Sequence, residues 1–492
     1  MKINRRSLLL SAAALPFSVA HPAGAQTSKI NNMRSESDKT KYLNSDERAT
    51  ATDMVLDGIG QRRFEELPAA ITHESKRALI NWFGCTLGAA RSDPVGLAAQ
   101  TVAVGMTPVY GMQTLTSATD AAFLTCLSSA VYAFDDTHVP TITHPTGPVA
   151  SALLALAHNG HKISGKDFLT ALTAGLEVSC KLANALTRYA PKPNFGLYLT
   201  GITGPVGAAM AGAMVLRANR AVTGWTIGLA ATQAAGLRAT HGAMSGMVVP
   251  AFAARDGLHA ALLAHAGFTC TADVISGKRG LIAAYAPGAD WRAAFASLGT
   301  DFEIERVSYK PYPCGVVIHP LLNVLSRAAL PTMTNKQVQE VQVQVSSKTK
   351  TLVDDPQPKD MFAAIVSAQH WIALSILGLP LGIDGLQQKQ IDDPEIRAMR
   401  QKIALVADDM LEVTDCVITI KHAEQPQQVL RASKEDQAEM SLSDSALQEK
   451  YLNQGRNAMD ETSLKKLLAL ILDIEQSNDV GRDIAAIVQP VH

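Results

Sequence analysis

No long run of lysine or arginine interrupts this sequence, and its formal net charge is only −1. Nucleic acid therefore finds no electrostatic footprint here, and the balance of charge favours neither a polyanion nor a membrane surface. The six cysteines, Cys85, Cys126, Cys180, Cys270, Cys314 and Cys416, stand far apart without a CxxC pair, which argues against a zinc or iron–sulfur site. There is no HExxH pair, so no metal is expected on that ground. The Gly-rich stretch "NFGLYLTGITGPVGAA" (194–209) lacks both GxGxxG spacing and a preceding strand, so close helix packing suits it better than a dinucleotide. Neither an internal repeat nor a coiled coil is visible. What remains is a globular composition, 47% hydrophobic and 18% charged, with apolar material for one large or two ordinary domains. The expected partner is a small molecule.

The first residues, "MKINRRSLLLSAAALPFSVAHPAGAQ", have a short basic start, an apolar run over 7–20, and the small residues Ala23, Gly24 and Ala25. That pattern predicts a signal peptide over 1–25, too short in its apolar part for a membrane span. Pro16 and Pro22 would interrupt a buried helix there. Arg5 and Arg6 leave both the twin-arginine and the general route open. The mature chain is expected to be exported to the periplasm without a membrane span, beginning with a polar tail over 26–46.

From about Ile71 to Leu298 the text is helical in character. Ser164 followed by Asp167 and the apolar stripe Phe168, Leu169, Leu172, Leu176 is a capped helix start. Pro148 fits the first turn of a buried helix over 149–159. Near Phe302 the pattern changes. "VQEVQVQV" (338–345) alternates apolar and polar residues and predicts a half-buried strand; "CVITIKH" (416–422) and "KIALVADD" predict two more. "DMFAAIVSAQHWIALSILGL" predicts a strongly apolar helix between them, and "DDPEIRAMRQKI" an amphipathic one. Helical text returns after about Ser433. The fold class predicted is mostly α with an α+β second domain: a helical domain over 47–305 and 434–492, built from both chain ends, and an α+β lid over 306–433.

Three polar stretches stand out. "FDDTHVPTITHPTG" (134–147) sets Asp135, Asp136, Thr137, His138 and His144 in one loop ahead of a helix. Adjacent aspartates cannot both face one cleft from a regular element, so one is expected to bind or catalyse while the other caps a turn. A neutral histidine suits proton transfer near neutral pH; the same composition would also serve a hydrogen-bonded capping loop. "SYKPYPCGVVIHP" (308–320) holds Lys310, Tyr312 and Cys314 on a proline-stiffened segment, with His319 beyond. A lysine there could neutralise a carboxylate or a developing enolate. The Gly-rich 194–209 stretch is the third.

Together and in this order, these stretches resemble the MmgE/PrpD family. "FDDT…HPTGPV…ALLALA", "GKDFLTALTAGLEV", "ARDGLHAALLA" with "GFTCTADVISGKRGL", "KPYPCG…HP" and "LSDSALQEKY" all look like family segments. The resemblance implies a homodimer, no metal or organic cofactor, and a small carboxylic acid bound in a cleft between a helical domain and its lid. It implies roles for Asp136, Thr137 and His144 in the loop, and for Lys310 and His319 in the lid. The departures are specific. Ala133 stands where relatives open the loop with an acidic residue, Tyr198 where they carry histidine, and Gly246 and Val249 where they carry lysine and histidine. Losing one cation and two imidazoles implies a less anionic substrate than a tricarboxylate.

The sequence thus predicts a cofactor-independent lyase of the hydratase/dehydratase type. His144 would transfer the proton, Lys310 would stabilise substrate charge, and Asp136 and Tyr198 would complete the catalytic set. Asp135, Thr137, His138, Tyr312 and His319 would line the substrate. Tyr198 suits an acid better than a base, given its high ordinary pKa. An isomerase or epimerase would use the same α-proton abstraction, and an exported carboxylate-binding relative would keep the fold without the chemistry.

Overall fold

The computed structural model describes residues 49–432 and 442–488; the expected signal peptide and polar tail lie outside the described residues, as does the expected lid boundary at 433/434. From Ala49 onward the chain is one compact unit. It is mostly helical, with a small α+β region toward its C-terminal side.

Among the described residues, six helices make the centre: Ala69–Ala89, Ala118–Ala130, Thr146–His158, Gly165–Leu186, Leu199–Val215 and Met244–His265. Ser164 caps Gly165–Leu186, its hydroxyl accepting from the Asp167 N–H at 3.1 Å, as the spacing predicts. Helix Leu199–Val215 is apolar all round and buried from Leu199 to Ala213, which is the pattern of a central rather than a surface helix. Its glycines bring backbones together. A β-carbon on Gly207 would lie 2.5 Å from the Gly175 carbonyl, and one on Gly175 would lie 2.7 Å from the Gly207 carbonyl. The chain's end returns to this bundle: helix Asp444–Gly455 packs on Ala69–Ala89, and the Gly165 N–H donates to the Ser477 carbonyl at 2.8 Å.

Among the described residues, three small sheets complete the fold. Strands β1 (Val104–Pro108) and β2 (Leu115–Thr116) form a hairpin inside the stretch expected to be helical. Strands β3 (Asp136–His138) and β4 (Val307–Tyr309) pair antiparallel, with Asp136 opposite Tyr309 and His138 opposite Val307. The α+β region holds β5 (Val338–Val345), β6 (Ile403–Ala407), β7 (Val417–His422) and β8 (Gln428–Arg431), in the order β6-β5-β7-β8. Only the β5–β6 pair is parallel. All three predicted strands are there. The single apolar helix expected over 360–379 is instead two, Met361–Ile365 and Ala368–Ile376. Ser367 breaks it: its backbone is extended and its hydroxyl accepts from the His370 N–H at 3.1 Å, starting a new helix.

Because Gly175 and Gly207 face each other across backbone, which cannot retreat as a side chain can, Gly207→Ala is expected to cost about 1–3 kcal/mol. Chemical denaturation checks this; a midpoint equal to the parent's would contradict the close-packing account.

Candidate active site

A cavity of about 740 Å³, counting its open mouth, lies between the helical bundle and the α+β region. The 134–147 loop supplies Asp135, Ile142 and His144 to its wall, the extended segment after β4 supplies Lys310, the residue before helix Leu199–Val215 supplies Tyr198, and helices supply Met247 and Val353. Two loop residues at this wall, Ala133 and Ile142, hold left-handed backbone at φ 46° and 56°. That conformation is uncommon for a side chain larger than glycine's and concentrates where a site over-determines the backbone. At Ala133 the bend aims a carbonyl at Lys310.

The β3–β4 ladder sets the two polar clusters side by side. Lys310, 1% exposed, donates from Nζ to Asp135 Oδ1 and to the Ala133 carbonyl, both at 2.9 Å. Asp135 reaches the other way too: its Oδ2 lies 3.6 Å from His144 Nδ1. His144 Nδ1 sits 2.7 Å from the Asp136 carbonyl oxygen and 3.3 Å from Thr137 Oγ1. A carbonyl only accepts, so Nδ1 carries the proton and Nε2 keeps its lone pair. Burial lowers the His144 pKa, opposed by Asp135 and assisted by Lys310. The imidazole is therefore neutral at neutral pH, and its free nitrogen is the unprotonated one.

The two aspartates divide as adjacency requires, but Asp135 takes the cavity and Asp136 the turn. Asp136 Oδ2 accepts from the Thr146 N–H at 3.2 Å and its hydroxyl at 2.5 Å, capping the start of helix Thr146–His158. Burial, then the neighbouring Asp135 charge, raise its pKa to about 7. Asp136 thus acts on the site through its backbone carbonyl, not by a carboxylate in the cavity. Tyr198 is on the cavity wall, its ring 6.2 Å from that of His144. Burial raises its pKa, so the phenol stays protonated.

Four residues predicted to line the substrate lie elsewhere. Thr137 is fully buried in β3 and off the cavity wall, beside the His144 ring, because β3 pairs with β4 there. His138 turns away from the cavity, with Nδ1 at 2.7 Å from Thr141 Oγ1 and Nε2 at 2.9 Å from Glu303 Oε2. Glu303 also accepts from Lys181 at 2.8 Å, and its own N–H and that of Ile304 donate to Glu177. This buried cluster anchors the turn that leads into β4. Tyr312 and His319 are rings 5.5 Å apart behind the cavity wall. Burial, then Lys310, depress His319 to about 3, so it stays neutral. Cys314 is fully buried and its thiol is pushed up by burial, which leaves no thiolate for nucleophilic work.

Three residues on or beside the site were missed from the sequence. Lys450 donates to Asn81 Oδ1 at 2.8 Å, the Phe134 carbonyl at 2.7 Å and the Lys310 carbonyl at 2.9 Å. It ties the bundle, the loop and the segment after β4 together from helix Asp444–Gly455. Burial lowers its pKa to about 8. A signal was available: Leu447, Lys450, Tyr451 and Gln454 share the buried face of that helix, and a lysine on such a face needs partners. Arg238 and His241 also line the cavity, and nothing in their spacing marked them. Gly246 faces the cavity with no room for a side chain, since a β-carbon there would lie 2.7 Å from the Thr240 carbonyl.

The Glu303 cluster makes a pH prediction. Burial alone would raise the Glu303 pKa, but hydrogen bonds from His138 and Lys181 hold it at about 2, against an ordinary 4.5. A depressed carboxylate stabilises the fold above its unfolded pKa and loses that contribution as pH falls toward the folded one. Glu303→Gln is expected to lose about 3–5 kcal/mol near neutrality, by stranding Lys181. Its deficit relative to the parent should shrink as pH falls below 4.5, as urea denaturation at several pH values would read; a constant deficit would contradict the cluster's role.

Comparison with known proteins bears on the family. Residues 45–294 match the MmgE/PrpD N-terminal domain and residues 312–476 the MmgE/PrpD C-terminal domain. The chain is 25% identical over 300 residues to cis-aconitate decarboxylase of Homo sapiens, covering 58% of this chain and 61% of that protein. It is 30% identical over 220 residues to a cis-aconitate decarboxylase-like protein of Aspergillus oryzae, covering 41% and 44%. With cis-aconitate decarboxylase of Aspergillus terreus it shares 22% identity over 377 residues, covering 70% and 76%. The match spans less than two thirds of the human and Aspergillus oryzae proteins. Both domains are nonetheless matched in order along one chain, and on that basis this protein is a member of the MmgE/PrpD family.

Proposed function

We propose that this protein is a cofactor-independent lyase of the hydratase/dehydratase type, acting on a small carboxylic or hydroxy acid by α-proton abstraction. The observation that carries the reading is the His144 hydrogen bond to the Asp136 carbonyl. It fixes the tautomer and leaves Nε2 as a base at the cavity wall.

In the forward step Nε2 takes the proton from the carbon next to the substrate's carboxylate. The electrons released form the C=C bond as the β C–O bond breaks. Tyr198, kept protonated by burial, supplies the proton with which hydroxide leaves as water. The imidazolium then formed is stabilised by Asp135 Oδ2, 3.6 Å from Nδ1. Lys310 acts on Asp135 more than on substrate, because Asp135 and the Ala133 carbonyl already hold its ammonium. The leader-like residues 1–25 support placing the mature protein outside the cytoplasm.

His144→Asn is expected to lower kcat by about 10²–10⁴-fold while a bound acid keeps its affinity. NMR in D₂O against a panel of small acids reads both proton exchange and new vinylic signals; turnover that survives His144→Asn would refute the assignment. Because burial lowers the His144 pKa from its ordinary 6.5, the base stays unprotonated to lower pH. The acidic limb of kcat/KM should then have its midpoint below 6.5, and a midpoint above that value would contradict a buried neutral base.

A further inference from the structure

We infer that Arg238 is the carboxylate anchor of this site, and that it selects an acid carrying one carboxylate on an otherwise apolar body. This rests on the small-acid reading above and names its substrate class.

The backbone of Arg238 is pinned on both sides. Its N–H donates to the Gly196 carbonyl at 2.9 Å, and its carbonyl accepts from the His241 N–H at 2.9 Å. Its guanidinium lies over the Tyr198 ring, 5.8 Å from the centroid. Among the described residues no carboxylate, carbonyl or hydroxyl accepts from its side chain. Five N–H donors in a fixed fork, partly buried and without acceptors, are arranged for a carboxylate from outside the protein. Lys310 offers no such opening, being held by Asp135 and Ala133.

Arg238 also stands on the wall shared by the inner cavity and an outer one of about 1230 Å³, open solvent included. Arg188, Arg238 and Lys348 line that outer cavity, with no Asp or Glu among its lining residues. Three cations on a wall that itself carries no carboxylate make an approach that gathers anions and leads them past Arg238, although Glu412 lies near enough to act on Lys348. Beyond it the wall turns apolar, with Ile142, Val316, Val317, Leu352 and Val366. Inside, Lys310 and Asp135 cancel and His144 is neutral, so among the described lining residues Arg238 is the cation without a balancing charge. One carboxylate restores neutrality. A tricarboxylate would have to bury two further negative charges without partners.

Calorimetric titration of the full chain with 3-hydroxypentanoate, succinate and citrate tests this, on the parent, Arg238→Gln and Arg238→Lys. The parent should bind 3-hydroxypentanoate more tightly than citrate by about tenfold or more. Arg238→Gln should weaken that binding by about tenfold or more, and Arg238→Lys should fall between. The unliganded melting temperature should stay close to the parent's, since among the described residues no hydrogen bond to the protein is lost with the guanidinium. Parent-like binding by Arg238→Gln, preference for citrate, or no binding of 3-hydroxypentanoate would each overturn the proposal. Binding lost as pH rises through the ordinary histidine range would overturn it too, by assigning the anion to His241. The readout needs no turnover. Binding as expected without chemistry would refute the lyase reading and leave Arg238 in place, whereas turnover with KM unchanged in Arg238→Gln would do the reverse.

Discussion

Three residue pairs between β3 and β4 hold this site together. Asp136, Thr137 and His138 pair with Tyr309, Ser308 and Val307, and the residues just outside the ladder, Asp135 and Lys310, become a buried ion pair across 175 positions of sequence. Such a pair tolerates burial only when its geometry is good and its remaining donors and acceptors are satisfied. Here they are. The Ala133 carbonyl takes a second Lys310 donor, and Lys450 fastens the backbone on both sides of the pair by holding the carbonyls of Phe134 and Lys310. The His138–Glu303–Lys181 cluster steadies the far end of the same ladder.

The chemistry follows from that frame by way of a carbonyl. With β3 fixed, the Asp136 carbonyl accepts from His144 Nδ1 and the Asp136 carboxylate caps the next helix. One residue therefore sets the imidazole's tautomer with its backbone and its position with its side chain. Asp135 provides charge next to the imidazole without competing for the free nitrogen. The proton transfer we propose needs no strong base, only a neutral imidazole kept neutral by burial.

Much of this was legible in the sequence, and the remainder failed for physical reasons. Strand β5 is legible from its alternation, β6 and β7 from the strand-like text of 402–409 and 416–422, and the Ser164 cap from its spacing. The helix expected over 360–379 was split because Ser367 competes for the backbone with its own hydroxyl, a local effect that apolar periodicity does not register. The polar loop was found, but which of two adjacent aspartates faces the cavity is set by β3 pairing with a strand far along the chain. His138 was assigned to the substrate for its residue type, yet its partner Glu303 sits 165 positions away. Arg238 carried no pattern of its own; only folding lays it over Tyr198. The departures noticed at Tyr198, Gly246 and Val249 pointed to a less cationic pocket, and the structure adds Arg238 and His241 to its wall.

The measurement that tests the central claim most directly is nitrogen NMR of the imidazoles in ¹⁵N-histidine-labelled protein, with His144 assigned by its absence from His144→Asn. At neutral pH the account predicts a neutral ring with the proton on Nδ1 and a bare Nε2. A protonated Nε2, or an imidazolium carrying both protons, would contradict it, because either would mean that the Asp136 carbonyl does not set the base.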